Sequence, residues 1–260
     1  MDSLVLLEKN EEGVALLTLN RPNAANALSV DMLKQFHAHL DELAFDEKVR
    51  VVVITGAGEK VFCAGADLKE RAGMNPTEVK RTVTLIRTLM DKVETLPQPT
   101  IAAMNGGAFG GGLELALSCD IRIAKTGSLY GLTETALAII PGAGGTQRLP
   151  RLIGIGKAKE LIYSAARIDA DEAKQIGLVE RVEEAHTLLR SAYELAGKMA
   201  SNGPIALRQA KRAIQTGMQV DLATGLEIEK LAYEQTIPTK DRLEGLQAFK
   251  EKRKPNYRGE

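Results

Sequence analysis

Two glutamates stand out among the ionisable residues because of their neighbours. Glu114 directly follows Asn105-Gly106-Gly107-Ala108-Phe109-Gly110-Gly111-Gly112-Leu113, and Glu134 sits in Gly131-Leu132-Thr133-Glu134-Thr135, ahead of the apolar run from Ala136 to Pro141. A carboxylate among apolar residues tends toward a raised pKa, which suits proton transfer. For a single Glu, an exposed helix position or a structural salt bridge is the commoner explanation. Spacing alone does not bring the two carboxylates together.

The glycines ahead of Glu114 are the second candidate. Five of the seven residues from 106 to 112 are glycine. Glycine is a poor helix residue, so this density has a backbone reason. The cluster lies between a strand pattern and a helical pattern, where unpaired N–H groups and the helix dipole favour negative charge. Tight strand–helix packing explains the glycines equally well. A dinucleotide loop does not fit, because neither this cluster nor Gly142-Ala143-Gly144-Gly145 has the GxGxxG spacing, and no Gly-Lys-Ser/Thr is present for a P-loop. A third stretch, Phe62-Cys63-Ala64-Gly65-Ala66-Asp67-Leu68-Lys69-Glu70, is small enough in side chains for its backbone to approach a ligand, and Asp67 can cap the helical turn after it.

Other chemistries find little support. His37 and His39 share a helix with no acidic or Cys partner at ligand spacing, and His186 is isolated, so all three are expected on the surface. No GxSxG or HExxH occurs, and no metal site is expected. Cys63 and Cys119 lie in apolar stretches and read as small buried hydrophobes in a reducing compartment.

The elements that must position these residues follow from periodicity. Apolar runs at 4–7 and 14–19, separated by Asn10-Glu11-Glu12-Gly13, predict a hairpin. Ser29 caps a helix with Leu33, Phe36, Leu40 and Leu43 on one face. Val51–Thr55, Thr100–Met104 and Ile121–Ala124 are short apolar strands. Asn75 and Pro76 open a helix carrying Val79, Val83, Ile86, Met90 and Val93, and Gly110–Gly112 open another. Alternation of strand and helix predicts an α/β fold with mostly parallel strands. Beyond about residue 150 the only strand signal is Gly177-Leu178-Val179, and helices are expected over 156–164, 183–200, 204–216, 220–235 and 240–252. Asn202-Gly203-Pro204 marks a boundary between a core region, 1–202, and a helical region, 203–260.

Composition limits the partners. Apolar residues make up 44% and charged residues 26%, and Lys+Arg and Asp+Glu are both 34. No net charge draws the chain to nucleic acid or anionic lipid. No apolar run reaches membrane-spanning length. Met1-Asp2-Ser3-Leu4-Val5 shows no basic, apolar leader, so a cytoplasmic location is expected.

Three segments together resemble the enoyl-CoA hydratase/isomerase (crotonase) family. They are Cys63–Glu70, Gly110–Asp120 and Ile140-Pro141-Gly142-Ala143-Gly144-Gly145-Thr146-Gln147-Arg148-Leu149, in that order and separation. The resemblance implies a spiral of ββα units followed by a helical trimerisation region, and a homotrimer or dimer of trimers. It implies an acyl-CoA substrate, with coenzyme A as part of the substrate and no separate cofactor, in fatty-acid or branched-chain amino-acid breakdown. By the same resemblance, the N–H groups of Ala66 and Gly111 form an oxyanion hole. Glu114 and Glu134 hold a water; Glu114 takes its proton as it attacks the β-carbon, and Glu134 protonates the α-carbon. Gly142 matches a position beside the second carboxylate. The Ala64–Leu68 loop, Asp67 included, matches one that wraps the adenine and pantetheine of CoA, with Lys69 near the phosphates. Phe249 matches an aromatic of a C-terminal helix that reaches CoA, and Lys252 stands beside it in a cationic cluster with Lys250, Arg253 and Lys254.

Both glutamates being present favours hydration over isomerisation, since isomerases of the family often keep one acid. An isomerase or another acyl-CoA lyase is the alternative enzyme. An RNA-binding member of the family also resembles this chain, notably over Gln235–Gly245 and Ala248–Arg253. That member is lysine-rich in its first helix, whereas Asn26–Arg50 has only Lys34, Lys48 and Arg50 against Asp31, Asp41, Glu42, Asp46 and Glu47, so nucleic acid is not an expected partner.

Overall fold

The computed structural model describes residues 3–260; Met1 and Asp2, part of the stretch read above for a leader, lie outside the described residues. Strands β1 (Val5–Lys9) and β2 (Val14–Leu19) form the expected antiparallel hairpin, in register from Val5 opposite Leu19 to Lys9 opposite Ala15. Helix α1 (Val30–Phe45) is capped by Ser29, whose hydroxyl accepts from the Met32 N–H at 3.3 Å. It buries Leu33, Phe36, Leu40 and Leu43.

From there the chain alternates between two sheets. Strand β3 (Val51–Gly56) joins a six-stranded sheet and β4 (Val61–Cys63) a four-stranded one, before helices α2 (Leu68–Arg71) and α3 (Pro76–Thr95). The pattern repeats with β5 (Thr100–Met104), β6 (Gly107–Phe109) and α4 (Gly111–Ser118), and again with β7 (Ile121–Lys125) and β8 (Leu129–Gly131). Each turn thus lays one strand in each sheet and then a helix, which makes a spiral of ββα units. The ladders β2–β3–β5–β7 and β4–β6–β8 are parallel.

Strand β3 is buried on both faces, which is why it reads as an unbroken apolar run. Val52 and Ile54 pack toward α1 and α3, while Val51 and Val53 pack with Leu188, Ala192 and Ala196 of helix α8 (Leu188–Ala200). Asn75 and Glu78 close a reciprocal capping box at the start of α3, as the Asn-Pro signal predicts.

Between β8 and α8 the chain differs from the sequence expectation. Helices α5 (Gly145–Ile153), α6 (Ile155–Tyr163) and α7 (Ala170–Gln175) and a two-residue strand β9 (Ile168–Asp169) fill it, of which only α6 was expected. Gly177–Val179 is not a strand. Leu178 and Val179 are buried, but both N–H groups donate to the Ala173 carbonyl at the end of α7. Strand β10 (Arg181–Glu183) begins after them, parallel to β7; it takes Glu183, the first residue assigned to the 183–200 helix, which itself starts only at Leu188.

After Gly203 come α9 (Pro204–Gly217), α10 (Leu222–Glu234) and α11 (Lys240–Glu251). Helix α9 docks on the spiral through a buried Lys211, whose Nζ meets Asp120 at 2.9 Å and donates to the Gln98 carbonyl at 2.9 Å. Helices α10 and α11 leave Leu222, Leu231, Leu246 and Phe249 exposed. No described helix is long and apolar enough to cross a membrane.

The expectation of surface histidines holds only for His186. His37 and His39 are half-buried, with Nε2 at 3.1 Å from the Leu85 carbonyl and 3.2 Å from the Val5 carbonyl, so they tie α1 to its neighbours. Both cysteines are buried, and burial pushes each thiol up to about 12.

Candidate active site

The parallel pairing of β4, β6 and β8 brings three loops to one edge of the small sheet. The loop after β4 carries Ala64–Asp67 and is held by Leu28, whose N–H donates to the Gly65 carbonyl and whose carbonyl accepts from Asp67. The loop after β6 is a single residue, Gly110, at φ +51°, which turns the chain directly into α4. Its N–H donates to the Gly131 carbonyl at the end of β8, and a Cβ there would lie 3.1 Å from Glu134 Oε1. Gly65, at φ +88°, lies so close to this turn that a Cβ would meet the Phe109 carbonyl oxygen at 2.7 Å and Gly111 N at 2.9 Å. These glycines let the amides of Ala66 and Gly111 approach one another: a Cβ on Gly111 would stand 3.7 Å from Ala66 N. Gly111 is the first residue of α4, with no carbonyl a turn earlier to accept its N–H.

Both amides border a cavity of about 520 Å³, and both glutamates line it. Glu114, only 3% exposed, has its Oε1 fixed by the N–H groups of Ala143 and Gly145, each at 2.8 Å. Burial pushes its carboxyl above the ordinary range, against the pull of those two amides and of Arg148. Glu134 opens a 3-10 turn, Glu134–Leu137, pinned by the Thr135 hydroxyl donating to the Ile162 carbonyl at 2.6 Å. Its Oε2 is buried with no hydrogen-bond partner, and its carboxyl is pushed up to about 7, by burial first and the nearby Glu114 charge second. The site therefore pairs a carboxylate already steadied by two amides with one inclined to keep its proton. Together they can take a proton from one place and give one at another, beside N–H groups aimed at a developing negative charge.

Comparison with known proteins agrees with this architecture. The family model described as enoyl-CoA hydratase/isomerase matches residues 9–260. The chain belongs to the enoyl-CoA hydratase/isomerase family. It is 59% identical over 258 residues to a putative enoyl-CoA hydratase/isomerase of Bacillus subtilis, covering 99% of each chain. It is 53% identical to the mitochondrial methylglutaconyl-CoA hydratase of Homo sapiens, across 98% of this chain and 76% of that protein. A crystal structure of an enoyl-CoA hydratase from Bacillus anthracis superposes with a TM-score of 0.98 at 60% identity, covering 99% of this chain and 100% of that one. Members of the enoyl-CoA hydratase/isomerase family act on acyl-CoA thioesters.

Ala64, Ala66, Leu68, Gly111, Glu114, Glu134 and Gly142 all line the cavity, so the fold brings most of the expected set together. Asp67 does not line it. Its carboxylate caps α2 and pairs with Arg21 at 2.6 Å, which holds it well below the usual carboxylate range. Lys69 is exposed on the outer side of α2. Phe249 is 87% exposed and, like Lys252, does not border the cavity of its own chain. Arg253 leaves the cationic cluster, since it pairs with Glu244 at 2.6 Å and Glu251 at 2.5 Å. Along Asn26–Arg50 several of the charges are also engaged: Glu42 and Asp46 meet Lys9, Asp41 meets Lys92, and Arg50 donates to the carbonyls of Ala200 and Tyr257.

Sequence reading missed the support for Glu114. Arg148 donates to the Ala143 carbonyl at 2.9 Å while pairing with Glu94 at 2.5 Å and Asp91 at 3.1 Å on α3, so it clamps the loop whose amides hold Glu114. The signals available were Gly142, Gly144 and Gly145 and the place of Arg148 in the Ile140–Leu149 segment that carries the family resemblance. Arg71, Val83, Ile86 and the exposed Leu137, Ile139 and Ile140 complete the cavity wall and were not singled out as site residues.

Proposed function

We propose that this protein is an enoyl-CoA hydratase that adds water across the 2,3 double bond of an enoyl-CoA thioester. The observation that carries the reading is the pair of carboxyl groups, Glu114 and Glu134, lining one cavity beside the Ala66 and Gly111 amides. The thioester oxygen accepts from those two N–H groups, which stabilise the enolate as charge develops. Glu114 takes a proton from a water as its oxygen bonds to the β-carbon. Glu134 delivers a proton to the α-carbon. Isomerisation needs only one group to move a proton along the chain, and would leave the second buried carboxyl without a task. The test is loss of enoyl-thioester absorbance when crotonyl-CoA is added to the purified protein. Formation of the 3-hydroxyacyl product supports hydration; conversion of a 3-enoyl-CoA without water addition overturns it.

The reading includes assembly. Leu222 is 78% exposed, Leu246 61% and Phe249 87%, more apolar surface than a helical tail leaves in water without a partner. A homotrimer or dimer of trimers is expected, in which Phe249 and Lys252 approach the CoA of a neighbouring subunit. Light scattering at micromolar concentration should give three or six times the 28.1 kDa chain mass, and a stable monomer would exclude the arrangement.

A further inference from the structure

The direction of the Ala66 N–H is set by a bond that it does not itself make. The Gly65 carbonyl and the Ala66 N–H belong to one peptide unit, and in a planar trans unit the two groups point opposite ways. No described peptide bond is cis. The Gly65 carbonyl accepts from the Leu28 N–H at 2.8 Å, and the Leu28 carbonyl accepts from the Asp67 N–H at 3.3 Å, which makes a single parallel bridge between Leu28 and Ala66. The Ala66 N–H is thereby aimed away from Leu28. Among the described residues it has no acceptor, and Ala66 lines the cavity. The bond from Leu28 also polarises the peptide unit, which strengthens the donor at its other end.

Two residues before Leu28 stands Asn26, which is fully buried and does not line the cavity. Its Oδ1 accepts from the Arg21 N–H at 3.0 Å, and its Nδ2 donates to the carbonyls of Ala57 at 3.0 Å and Val61 at 2.9 Å. Ala57 follows β3, and Val61 opens β4, the strand from which the Ala66 loop emerges. The side chain thus ties the 25–28 segment to the root of that loop, and the Ala25 carbonyl adds a further tie by accepting from the Ala64 N–H at 3.0 Å. Ala25 and Asn26 stand at φ +51° and +53°. Asparagine tolerates this left-handed backbone and alanine resists it, so the pair persists only where its surroundings hold it. We propose that Asn26 is a positioning residue for the reaction: by pinning the Leu28 segment to β4, it fixes the direction in which the Ala66 N–H meets the thioester oxygen. That this amide serves a thioester oxygen rests on the function proposed above; what aims the amide does not.

Asn26→Gly is the direct test, because glycine takes the left-handed backbone without strain and only the side chain's hydrogen bonds are lost. The matched control is Gln98→Ala. It removes another fully buried amide, one that donates to the carbonyls of Leu43 at 2.7 Å and Asp46 at 3.4 Å and does not line the cavity. The readout is the infrared C=O stretch of bound butyryl-CoA, isotope-labelled at the thioester carbonyl; this probe is saturated and is not turned over. The wild type should lower the frequency below that of free butyryl-CoA. Asn26→Gly should return it part of the way, keep butyryl-CoA affinity close to that of the wild type, and lower kcat for crotonyl-CoA hydration on the order of 10- to 100-fold, as a misplaced donor does. Gln98→Ala should keep the wild-type frequency even where it lowers the melting temperature as far. Asn26→Ser keeps a hydroxyl for one of the three partners, should fall between, and carries the test if Asn26→Gly does not fold. A wild-type frequency in the folded Asn26 variants, or the same displacement in Gln98→Ala, would overturn the proposal, and so would a wild type that leaves the carbonyl unpolarised. Absence of crotonyl-CoA hydration by the wild type, with the band responding to Asn26 as expected, would instead sink the hydratase reading and leave the positioning role standing.

Discussion

Glu134→Gln is expected to lower kcat for enoyl-CoA hydration by about 10²–10⁴-fold while leaving acyl-CoA affinity near that of the wild type, and Glu114→Gln to do the same. The amide keeps the size of the carboxyl group and removes its proton chemistry. In the proposed mechanism neither side chain binds the thioester oxygen, which the Ala66 and Gly111 amides meet, so binding and turnover should separate. The two glutamates should also divide the pH profile. Glu114 must be ionised to act as base, so kcat/KM rises with pH through its raised pKa. Glu134 must hold its proton to act as acid, so kcat/KM falls as pH rises through about 7. The alkaline limb should be missing from the residual activity of Glu134→Gln, and a wild-type profile flat through that region would remove Glu134 as the acid. Stability supplies an independent check that the variant is folded. The folded-state pKa of Glu134 is raised, so the unfolded chain ionises first as pH rises, and the native state loses stability from the ordinary Glu value of 4.5 up to about 7. Gln carries no such loss. Glu134→Gln should therefore melt higher than the wild type at pH 8 and level with it below pH 4, whereas a structural role for the carboxylate gives the opposite order at pH 8.

What the sequence made legible follows from the range of each interaction. The helix caps, the α1 stripe and the glycine turn before Glu114 are local, and residues a few positions apart announce them. Apart from the family resemblance, Glu134 was visible only as a carboxylate in an apolar run, because the contact that matters, its approach to Gly110, depends on β6 and β8 lying side by side. The hold on Glu114 was out of reach for the same reason. Ala143 and Gly145 act through backbone N–H groups, which nearly every residue possesses, and Arg148 reaches across to α3. Arg71 was not singled out in the sequence at all; only the packing of α2 beside α3 places it in the cavity wall. The strand expected at Gly177–Val179 failed because apolar side chains report burial and not pairing: Leu178 and Val179 enter the core from a loop whose amides are taken by Ala173. Phe249 and Lys252 were drawn from a resemblance, and a single chain leaves them outside the cavity.

Gly112→Ala should be among the most damaging single-methyl changes in the protein, although helix propensity favours it. Gly112 is the second residue of α4, its φ is not positive, and alanine is better than glycine in a helix by about 1 kcal/mol. The surroundings decide the other way. A Cβ at this position would sit 2.0 Å from the Cys63 carbonyl oxygen, 2.7 Å from its carbonyl carbon and 2.8 Å from its Cβ. None of these is the free end of a flexible side chain; they belong to the end of β4, where the Ala64–Asp67 loop begins. The methyl can be admitted only by moving α4 away from that loop, at a cost of about 1–3 kcal/mol or more for overpacking. The same movement separates Gly111 from Ala66, and loss of one well-placed oxyanion donor lowers kcat by about 10²–10³-fold. The expected result is a lower melting temperature together with a fall in kcat that exceeds any change in CoA affinity. Gly156→Ala is the matched control. It lies in helix α6, nothing stands within 4 Å of the point its added methyl would occupy, and it should be neutral or slightly stabilising with full activity. If Gly112→Ala behaves like Gly156→Ala, the close contact between α4 and the Cys63 backbone does not set the spacing of the two amides.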